Sequence, residues 1–332
     1  MIVSDRDKCY NIAKDFYSDK NLLLECWDIK RTLNTFFNPD EYLFFLSKKN
    51  LIPLVVKDGC AYFFGGDLPF NECNSVGDDR GLVDEALSYL KSRDLNFRLT
   101  SLKNDPFCFL SKENVLYDVP YNQLWIYPNV NKFNTEEFIY SYKKKTRDKL
   151  KRALGLYNRL EVVEPLQPCY KKEYHDKIYE LYIKSFKSRG KINCWAKRRV
   201  LYDAIFSIMH TKNILKNRVV LDKATKEIVA SYSLAISNNE IFLAFSNCYN
   251  FDIRYLQFFI YIDILQTSSS IYKSSLFINA GRGSFGYKKR LGFQPQPMYA
   301  LVKDDRWKKQ YNKDITPKET RLLYGRDFGC FL

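Results

Sequence analysis

The segment from residue 279 to residue 293, NAGRGSFGYKKRLGF, combines glycines, cations and an aromatic residue. Its first part is the end of a predicted strand and contains Gly281, Arg282 and Gly283, and its second part begins a predicted basic helix. Glycines at such a turn let a bulky or phosphorylated ligand approach the main chain closely. The segment is therefore either a wall that binds a ligand or a plain strand-to-helix turn with a solvated basic first turn.

A second group of cations lies mid-chain, in the predicted helix YKKKTRDKLKRAL (142–154). Positive charge lies all around this helix, and Leu150 and Ala153 are its few apolar anchors. Because burial would stabilise such a helix little, we predict that it contacts the phosphates of a nucleotide, an anionic glycan precursor or tRNA; the alternative is surface charge. The predicted phosphate-binding residues are Lys143, Lys144, Lys145, Arg147 and Arg152.

Polar residues near the end of a third predicted element, the strand EIFLAFSNCYN (240–250), could serve acid–base chemistry. Ser246, Asn247 and Tyr249 lie in this strand, and Asp252 follows it. At a splayed sheet edge they could hold an acceptor amine or pass its proton through water. Thiol and metal chemistry are disfavoured, and no metal is predicted, because the chain has two histidines and nine scattered cysteines without a C-x-x-C pair.

The charge balance indicates the kind of partner. The formal net charge is +15, and such a surplus concentrates phosphorylated partners such as nucleotides, coenzyme A, tRNA or an anionic membrane face. Glycine-rich dinucleotide and nucleoside-triphosphate fingerprints are absent from the sequence, which disfavours NAD- and ATP-dependent classes. No apolar run is long enough for a transmembrane segment or resembles a signal peptide, so we expect a cytoplasmic protein.

The elements that must position these residues follow two similar orders. In the first half we expect helical segments within 7–50, one of which starts at Asn38 and Pro39 and runs through NPDEYLFFLSKK. We then expect a hairpin at Asp58-Gly59, a helix over 81–94 and a strand over 96–102. In the second half we expect two helices, three meandering strands, one helix and a further strand that ends at Gly281. The predicted domains are 1–130 and 161–332, with a basic helical junction over 131–160.

Two motifs resemble the Fem-type branch of the GNAT superfamily. In that family a late strand leads into a G-x-G, an aromatic-lysine pair and a leucine-glycine pair, and a lysine-rich run upstream leads into an R-A pair. The stretches 57–70 and 82–97 are similar to the catalytic region of lysyl-phosphatidylglycerol synthases, a neighbouring branch. The resemblance covers roughly residues 30–300. The matching motif positions are Gly281, Gly283, Tyr287, Lys288, Leu291 and Gly292, then Lys143, Lys144, Lys145, Arg147, Arg152 and Ala153.

The resemblance implies an α/β (α+β) fold of two tandem GNAT-like domains, each a mixed, mostly antiparallel sheet flanked by helices. It implies transfer of an acyl or aminoacyl group to an amine or hydroxyl. Lys288 would be the catalytic residue near the donor or acceptor, because its ammonium can neutralise a phosphate or a developing oxyanion, and Tyr287 would either orient it or lie against the acceptor. Acyl-CoA or aminoacyl-tRNA would be the co-substrate, with no tightly bound cofactor.

One departure from the family bears on the donor. Acyl-CoA-using relatives carry a glycine in the loop before the helix that follows the splayed strand, and here the stretch NCYNFDIRYLQFF (247–259) has none. Either Arg254 and the helix start replace that phosphate cradle, or coenzyme A is not the donor. Two further functions stay open, a nucleic-acid (tRNA) binding module and a catalytically silent GNAT-like scaffold.

Overall fold

The chain folds into two sheets flanked by helices, and contacts divide it into two compact units. The first unit comprises Met1–Leu124, Arg198–Ile208 and Gln296–Leu332, and the second comprises Trp125–Lys197 and Met209–Pro295. The computed structural model describes residues 1–18, 26–48, 50–66, 68, 79–102, 115–117, 124–164, 172–187, 199–212, 214–236, 240–250, 252–271, 277–281, 285–296 and 299–303.

The first unit is built on a seven-stranded sheet with the order β1-β2-β3-β4-β5-β14-β6. Its neighbouring strands are antiparallel except for the parallel pair β4 and β5. The strands are β1 (Ile2–Val3), β2 (Glu41–Leu46), β3 (Leu51–Lys57), β4 (Cys60–Phe63), β5 (Asn96–Leu102), β6 (Val115–Tyr117) and β14 (Tyr299–Lys303), and the helices are α1 (Arg6–Ser18), α2 (Trp27–Phe37) and α3 (Arg80–Ser92).

Two buried clusters cover the faces of this sheet. On one face Leu43, Leu54 and Phe97 pack with the apolar side of α3, including Leu87. The other face carries the strand residues at the alternate positions, such as Phe44 and Val55. They pack with α1 and α2, as Phe44 does with Ala13. The strands are therefore apolar on both sides, which explains the nearly continuous burial of β2 and β3.

The second unit is also built on a seven-stranded sheet, with the order β13-β7-β12-β11-β10-β9-β8. The strands β11 and β12 are parallel, and four other pairs are antiparallel: β7 with β12, β10 with β11, β9 with β10, and β8 with β9. The strands are β7 (Leu124–Tyr127), β8 (Leu160–Val163), β9 (Leu215–Asp222), β10 (Ile228–Ile236), β11 (Glu240–Tyr249), β12 (Phe277–Asn279) and β13 (Gln294–Gln296).

Helices flank this second sheet, and the parallel pair is joined through one of them. The helices of this unit are α4 (Thr135–Tyr140), α5 (Lys144–Leu154), α6 (Lys172–Lys187), α8 (Leu256–Ile271) and α9 (Phe285–Arg290). The helix α7 (Arg199–Thr211) comes between α6 and α8 in the chain, and its residues up to Ile208 belong to the first unit. The connection β11-α8-β12 places α8 on one face, where Phe259 and Ile260 pack with Tyr232 and Leu234 of β10. The helix α8 is apolar almost all round, as expected of a buried helix.

The predicted fold class is confirmed, because both units are mixed, mostly antiparallel sheets flanked by helices. The hairpin at Asp58-Gly59 is also confirmed, with both residues at positive φ as a tight two-residue turn requires. The prediction of a helix starting at Asn38 and Pro39 is wrong. Asn38 is the left-handed C-cap of α2, and the run that follows it is β2. A short apolar run does not distinguish a buried strand from a helix by its spacing.

The sequence prediction treated each domain as one contiguous stretch, whereas each unit here draws on separate stretches. The reason is β14, which follows the second unit in the chain and yet pairs with β5 and β6 of the first. Within the described ranges, no helix has the length and apolarity that a membrane span requires.

Candidate active site

The strands β11 and β12 of the second unit separate soon after they begin to pair. Their parallel register runs only from Glu240 opposite Phe277 to Phe242 opposite Asn279. Beyond this point β11 continues to Tyr249, while the main chain after β12 stays bonded to β7, through Ala280 N to Trp125 O at 2.8 Å. In the described part of the chain, no strand pairs with this edge of β11 after Phe242. The result is a gap between two diverging parallel strands.

The strand β11 is bulged along this gap. Leu234 of β10 is paired with Leu243 of β11, and Ser231 of β10 is paired with Cys248. These two pairs are three residues apart along β10 and five residues apart along β11. Two extra residues therefore bend β11 and turn its main chain away from regular pairing. Bulges of this kind are over-represented beside active sites, where they re-aim side chains and terminate pairing.

Lys288, on α9, lies against the end of β12 and is only 2% exposed. Its ammonium donates to the main-chain carbonyl of Ala280 at 2.8 Å and to that of Gly281 at 3.1 Å. Gly281 has a φ of +62°, and a Cβ there would meet Phe242 at an ordinary 3.8 Å, so the backbone conformation rather than space calls for glycine. The predicted lysine and the predicted glycine turn are thus brought into direct contact.

The leucine-glycine pair of the same motif ends α9. Leu291 is fully buried in the core of the unit, and Gly292 has a φ of +84°. The amides of Leu291 and Phe293 both donate to the carbonyl of Lys288, at 3.0 and 3.1 Å. This is the left-handed helix end that glycine favours. These two motif positions therefore fix the short helix that carries Lys288.

Two predicted cationic residues meet at the start of α8. Arg152, at the end of α5, donates from Nη1 to the Tyr255 hydroxyl at 3.0 Å, and its guanidinium lies 5.8 Å from the centre of that ring. The guanidinium of Arg254 lies 4.9 Å from the same centre. Tyr255 has a φ of +68°, which is unusual for a bulky residue and is often found at functional sites. Two arginines and a strained tyrosine therefore lie where the N-terminal amides of α8 begin.

The remaining cations of α5 form a surface around an exposed tyrosine. Tyr140 is 53% exposed, with Arg147 at 5.5 Å and Lys151 at 4.9 Å from its ring centre. The side chains of Lys143, Lys144 and Lys145 are exposed at the start of the helix. As predicted, the helix carries charge on most of its surface and is anchored by Leu150 and Ala153, both fully buried.

A buried polar network ties α8 to the sheet. Asp263 of α8 is 5% exposed and accepts hydrogen bonds from the hydroxyls of Tyr232 and, at 3.1 Å, Tyr157. Its carboxylate also lies 3.6 Å from the Arg218 guanidinium. Burial and the negative charge of Asp263 raise the pKa of Tyr232 well above its usual value. This network fixes α8, and with it the position of Arg254 and Tyr255.

The sequence analysis did not find three polar residues, Ser231, Ser233 and Asn217, on the face of the sheet opposite α8. Ser231 and Ser233 are buried on β10, and Ser233 donates to Asn217 Oδ1 of β9 at 2.6 Å. Ser233 also faces Phe245 in the bulged part of β11. The signal was present as serines at alternating positions of the otherwise apolar strand IVASYSLAI. Buried side-chain hydroxyls of this kind form a polar patch beside the gap.

The first unit has the same kind of strand-helix-strand connection, β4-α3-β5, and aromatic rings cover the sheet face opposite α3. There β4 and β5 are parallel only from Cys60 to Ala61, and the face next to the end of β4 is covered by Phe64. The Phe64 ring lies 6.1 Å from that of Trp27 and 5.8 Å from that of Tyr10. The structure thus has two such strand-helix-strand connections, and in the first unit aromatic side chains cover the face of the sheet next to the end of β4.

Several predicted site residues lie outside what can be described. Arg282 and Gly283 fall outside the described residues. Ser246, Asn247 and Tyr249 are placed in β11 and Tyr287 in α9 by their backbone, and their side chains are outside the described part. Within the described ranges, no group of three or more His, Cys, Asp or Glu side chains is arranged to hold a metal ion.

Comparison with known proteins rests on structure, because neither a protein-family model nor a curated protein sequence matches this chain. The C-terminal domain (DUF2156) of a protein named as a lysylphosphatidylglycerol synthetase from Agrobacterium fabrum matches with a TM-score of 0.57 and 11% identity, over 90% of this chain and 93% of that one. The structure named L-PGS from Bacillus licheniformis matches with a TM-score of 0.56 and 12% identity, over 98% of this chain and 97% of that one. The chain shares their fold.

FemX matches as well, with a TM-score of 0.54 and 9% identity, over 93% of this chain and 99% of that one. The predicted resemblance to Fem-type proteins and to lysyl-phosphatidylglycerol synthases is therefore confirmed as a likeness of fold. At these identities the likeness is one of architecture, and the chemistry must be argued from the site itself.

Proposed function

We propose that this chain is an acyl- or aminoacyltransferase whose active site is the gap between β11 and β12 of the second unit. The observation that carries the proposal is the divergence of two parallel strands after Phe242 and Asn279, with a bulged β11 along one side. An extended acyl or amide-bearing arm could lie in this gap and hydrogen-bond to the edge of β11 as an added strand would.

The phosphates of the donor would lie at the start of α8. Arg152, Arg254 and the first amides of α8 combine cationic groups with the positive end of a helix, which together favour an anion. These arginines would replace the glycine cradle that the sequence lacks at 247–259. The donor would be either a coenzyme A thioester or an aminoacyl-tRNA, both of which are cytoplasmic and phosphorylated.

The surface of α5 would extend this contact for the larger donor. Lys143, Lys144 and Lys145 would bind phosphates beyond the acyl group, and Arg147 would do so from the same helix. A donor with many phosphates gains affinity from each neutralised charge and loses it as salt is added. A coenzyme A thioester is too short to use many of these cations, so the salt dependence of binding separates the two donors.

The chemistry is a single exchange at a carbonyl carbon. The acceptor nitrogen or oxygen forms a bond to this carbon, the bond from the carbon to the donor sulfur or oxygen breaks, and the donor leaves with its electron pair. The acceptor proton passes to solvent, through polar groups that we propose to be Ser246, Asn247 and Tyr249 of β11. The leaving thiolate or alkoxide takes up a proton in turn.

The wall opposite β11 would be formed by the predicted motif. Gly281, with Arg282 and Gly283 after it, would lie against the substrate, Tyr287 would contact the substrate from α9, and Lys288 would act from the same helix by holding the end of β12 in place. The supporting observation is that Lys288 is buried against the end of β12, because a lysine on a solvated basic turn would have its ammonium in water. The plain-turn alternative predicts such an exposed ammonium.

The test is a melting-temperature comparison with acetyl-CoA and with a mixture of aminoacyl-tRNAs. A ligand at one hundred times its Kd stabilises the folded state by about 2.7 kcal/mol, enough for a clear rise in melting temperature. We expect a rise with one donor. The Arg152→Glu and Arg254→Glu variants should each bind that donor about tenfold more weakly or worse, equivalent to about 1.4 kcal/mol. The control variant Lys91→Glu, at an exposed position of α3 in the first unit, should bind it as the wild type does.

The outcomes separate the alternatives. A response to tRNA that ignores its aminoacyl group would favour a nucleic-acid binding module over an enzyme. No response to either donor, together with a Lys288→Ala variant whose ligand affinities match the wild type, would favour a catalytically silent scaffold and contradict the proposal.

A further inference from the structure

The main chain at the end of β12 has all of its hydrogen-bonding groups occupied by the protein itself. Ala280 N donates to Trp125 O at 2.8 Å, and Gly281 N donates to Asn279 Oδ1 at 2.9 Å. The carbonyls of Ala280 and Gly281 both accept from the Lys288 ammonium, and Gly281 O also accepts from Trp125 N at 3.3 Å. Both N–H donors of these two residues are therefore taken, and both carbonyls already accept from the protein, so a ligand in the gap finds no free N–H donor on them.

A buried carboxylate decides which way the Asn279 side chain is turned. Glu240, at the start of β11, is 5% exposed and accepts from Asn279 Nδ2 at 2.6 Å. An ionised carboxylate can only accept, so it requires the NH₂ end of the amide, and the amide oxygen must then face the other way, toward Gly281 N. One carboxylate thus selects the orientation that holds the Gly281 amide.

This relay crosses the two strands where they part. Glu240 opposite Phe277 is the first paired position of β11 and β12, and Phe242 opposite Asn279 is the last one before the gap. The relay holds the Ala280-Gly281 peptide by its N–H, and the Lys288 ammonium holds it from the other side by its carbonyl, that of Ala280. A short strand end that would otherwise be free to move toward β11 is fixed in place.

We infer that Glu240, Asn279 and Lys288 are positioning residues that hold the end of β12 away from β11, so that a bound donor pairs with β11 alone. The inference rests on the proposed function for the meaning of the gap, and its physical content can be tested without any donor. Glu240 is the new residue here, since neither its type nor its place in the sequence marks it as part of a site.

The test exchanges the carboxylate and the amide between positions 240 and 279, and follows the effect on the Gly281 amide. Asn279→Asp places a second carboxylate against Glu240, so the pair must either share a proton or move apart, and in both cases the group that accepts from Gly281 N changes and the Gly281 amide signal should shift. In the double variant Glu240→Gln with Asn279→Asp, the glutamine NH₂ can donate to one aspartate oxygen and Gly281 N to the other. The double variant should therefore recover the signal.

The measurement is a nitrogen-15 spectrum of protein labelled at glycine only, in which thirteen glycines leave a simple pattern. We expect the Gly281 signal to move in Asn279→Asp and to return toward its wild-type position in the double variant. It should also move in Lys288→Met. Lys289→Met is the matched control, because Lys289 is exposed on the same short helix and should leave the Gly281 signal in place.

Two results would overturn the inference. One is an Asn279→Asp variant with an unchanged Gly281 signal; the other is a double variant that fails to recover it. If Asn279→Asp does not fold, a folded double variant with the wild-type signal supports the inference, and an unfolded double variant contradicts it. None of these readouts requires acyl transfer, so they can fail while the proposed function stands, and the reverse also holds.

Discussion

The clearest test of packing in the first unit is the substitution Gly66→Ala. Gly66 follows the end of β4, has a φ of +67°, and is covered by the ring of Phe37. A Cβ at this position would lie closer to three atoms of that ring than the 3.0 Å that real Cβ atoms keep. The ring has little freedom to move, because Tyr62 packs against it at 5.1 Å and the Lys57 ammonium lies 5.2 Å from its centre.

The magnitude follows from a matched control. Gly59 has a φ of +69° and nothing within 4 Å of an added Cβ, so Gly59→Ala measures the backbone cost alone, about 1 kcal/mol. Gly66→Ala carries the same backbone cost and adds an overpacking cost of about 1–3 kcal/mol. We therefore expect Gly66→Ala to lower the free energy of unfolding by about 1–3 kcal/mol more than Gly59→Ala.

Urea unfolding followed by fluorescence measures this difference. The slope with denaturant should be the same in both variants, so that the midpoints report stability. Replacing Phe37 by leucine in the Gly66→Ala background should recover part of the loss, because a smaller side chain removes the clash. Equal stabilities of the two alanine variants, within about 0.5 kcal/mol, would refute the claim that the ring of Phe37 is locked against Gly66.

Two further predictions concern the second unit and the response to alkali. Asp263→Asn should lower the free energy of unfolding by about 2–4 kcal/mol, because it removes the charge that accepts from Tyr232 and leaves a buried network partly unpaired; the exposed Asp252→Asn should change it by less than about 0.5 kcal/mol. Burial raises the pKa values of Tyr42 and Tyr142 to about 12. Unfolded tyrosines ionise near 10, so the contribution of these two residues to the free energy of unfolding is lost as the pH rises from 10 to 12, and the fall over that range should be less steep in Tyr142→Phe; an equal slope in that variant would contradict the assignment.

Local sequence patterns were enough for much of the fold. The hairpin at Asp58-Gly59 and the apolar spacing of α3 are local signals, and they are found where they were predicted. The run YLFFL of β2 was misread because its burial is decided by the two layers that enclose it, not by its own spacing. Likewise, nothing local marks β14 as a strand of the first sheet.

The candidate site was predictable only where one motif contains it. The segment around Gly281 and Lys288 is continuous, and its members do lie together. The contact of Arg152 with Tyr255 joins residues 103 positions apart, and the relay from Glu240 to Asn279 joins residues 39 positions apart. Such pairings depend on the register of β11 with β12 and on how α8 packs, which a single sequence does not reveal.

The most direct test of the central claim is hydrogen–deuterium exchange with and without donor. Acetyl-CoA and a mixture of aminoacyl-tRNAs would each be added to the full chain, and exchange would be followed over Leu243–Tyr249 of β11 and over the start of α8. We predict that one donor slows exchange in both segments and leaves Cys60–Phe63 of β4 unchanged. Slower exchange confined to β4, or no change in β11 with either donor, would contradict the account.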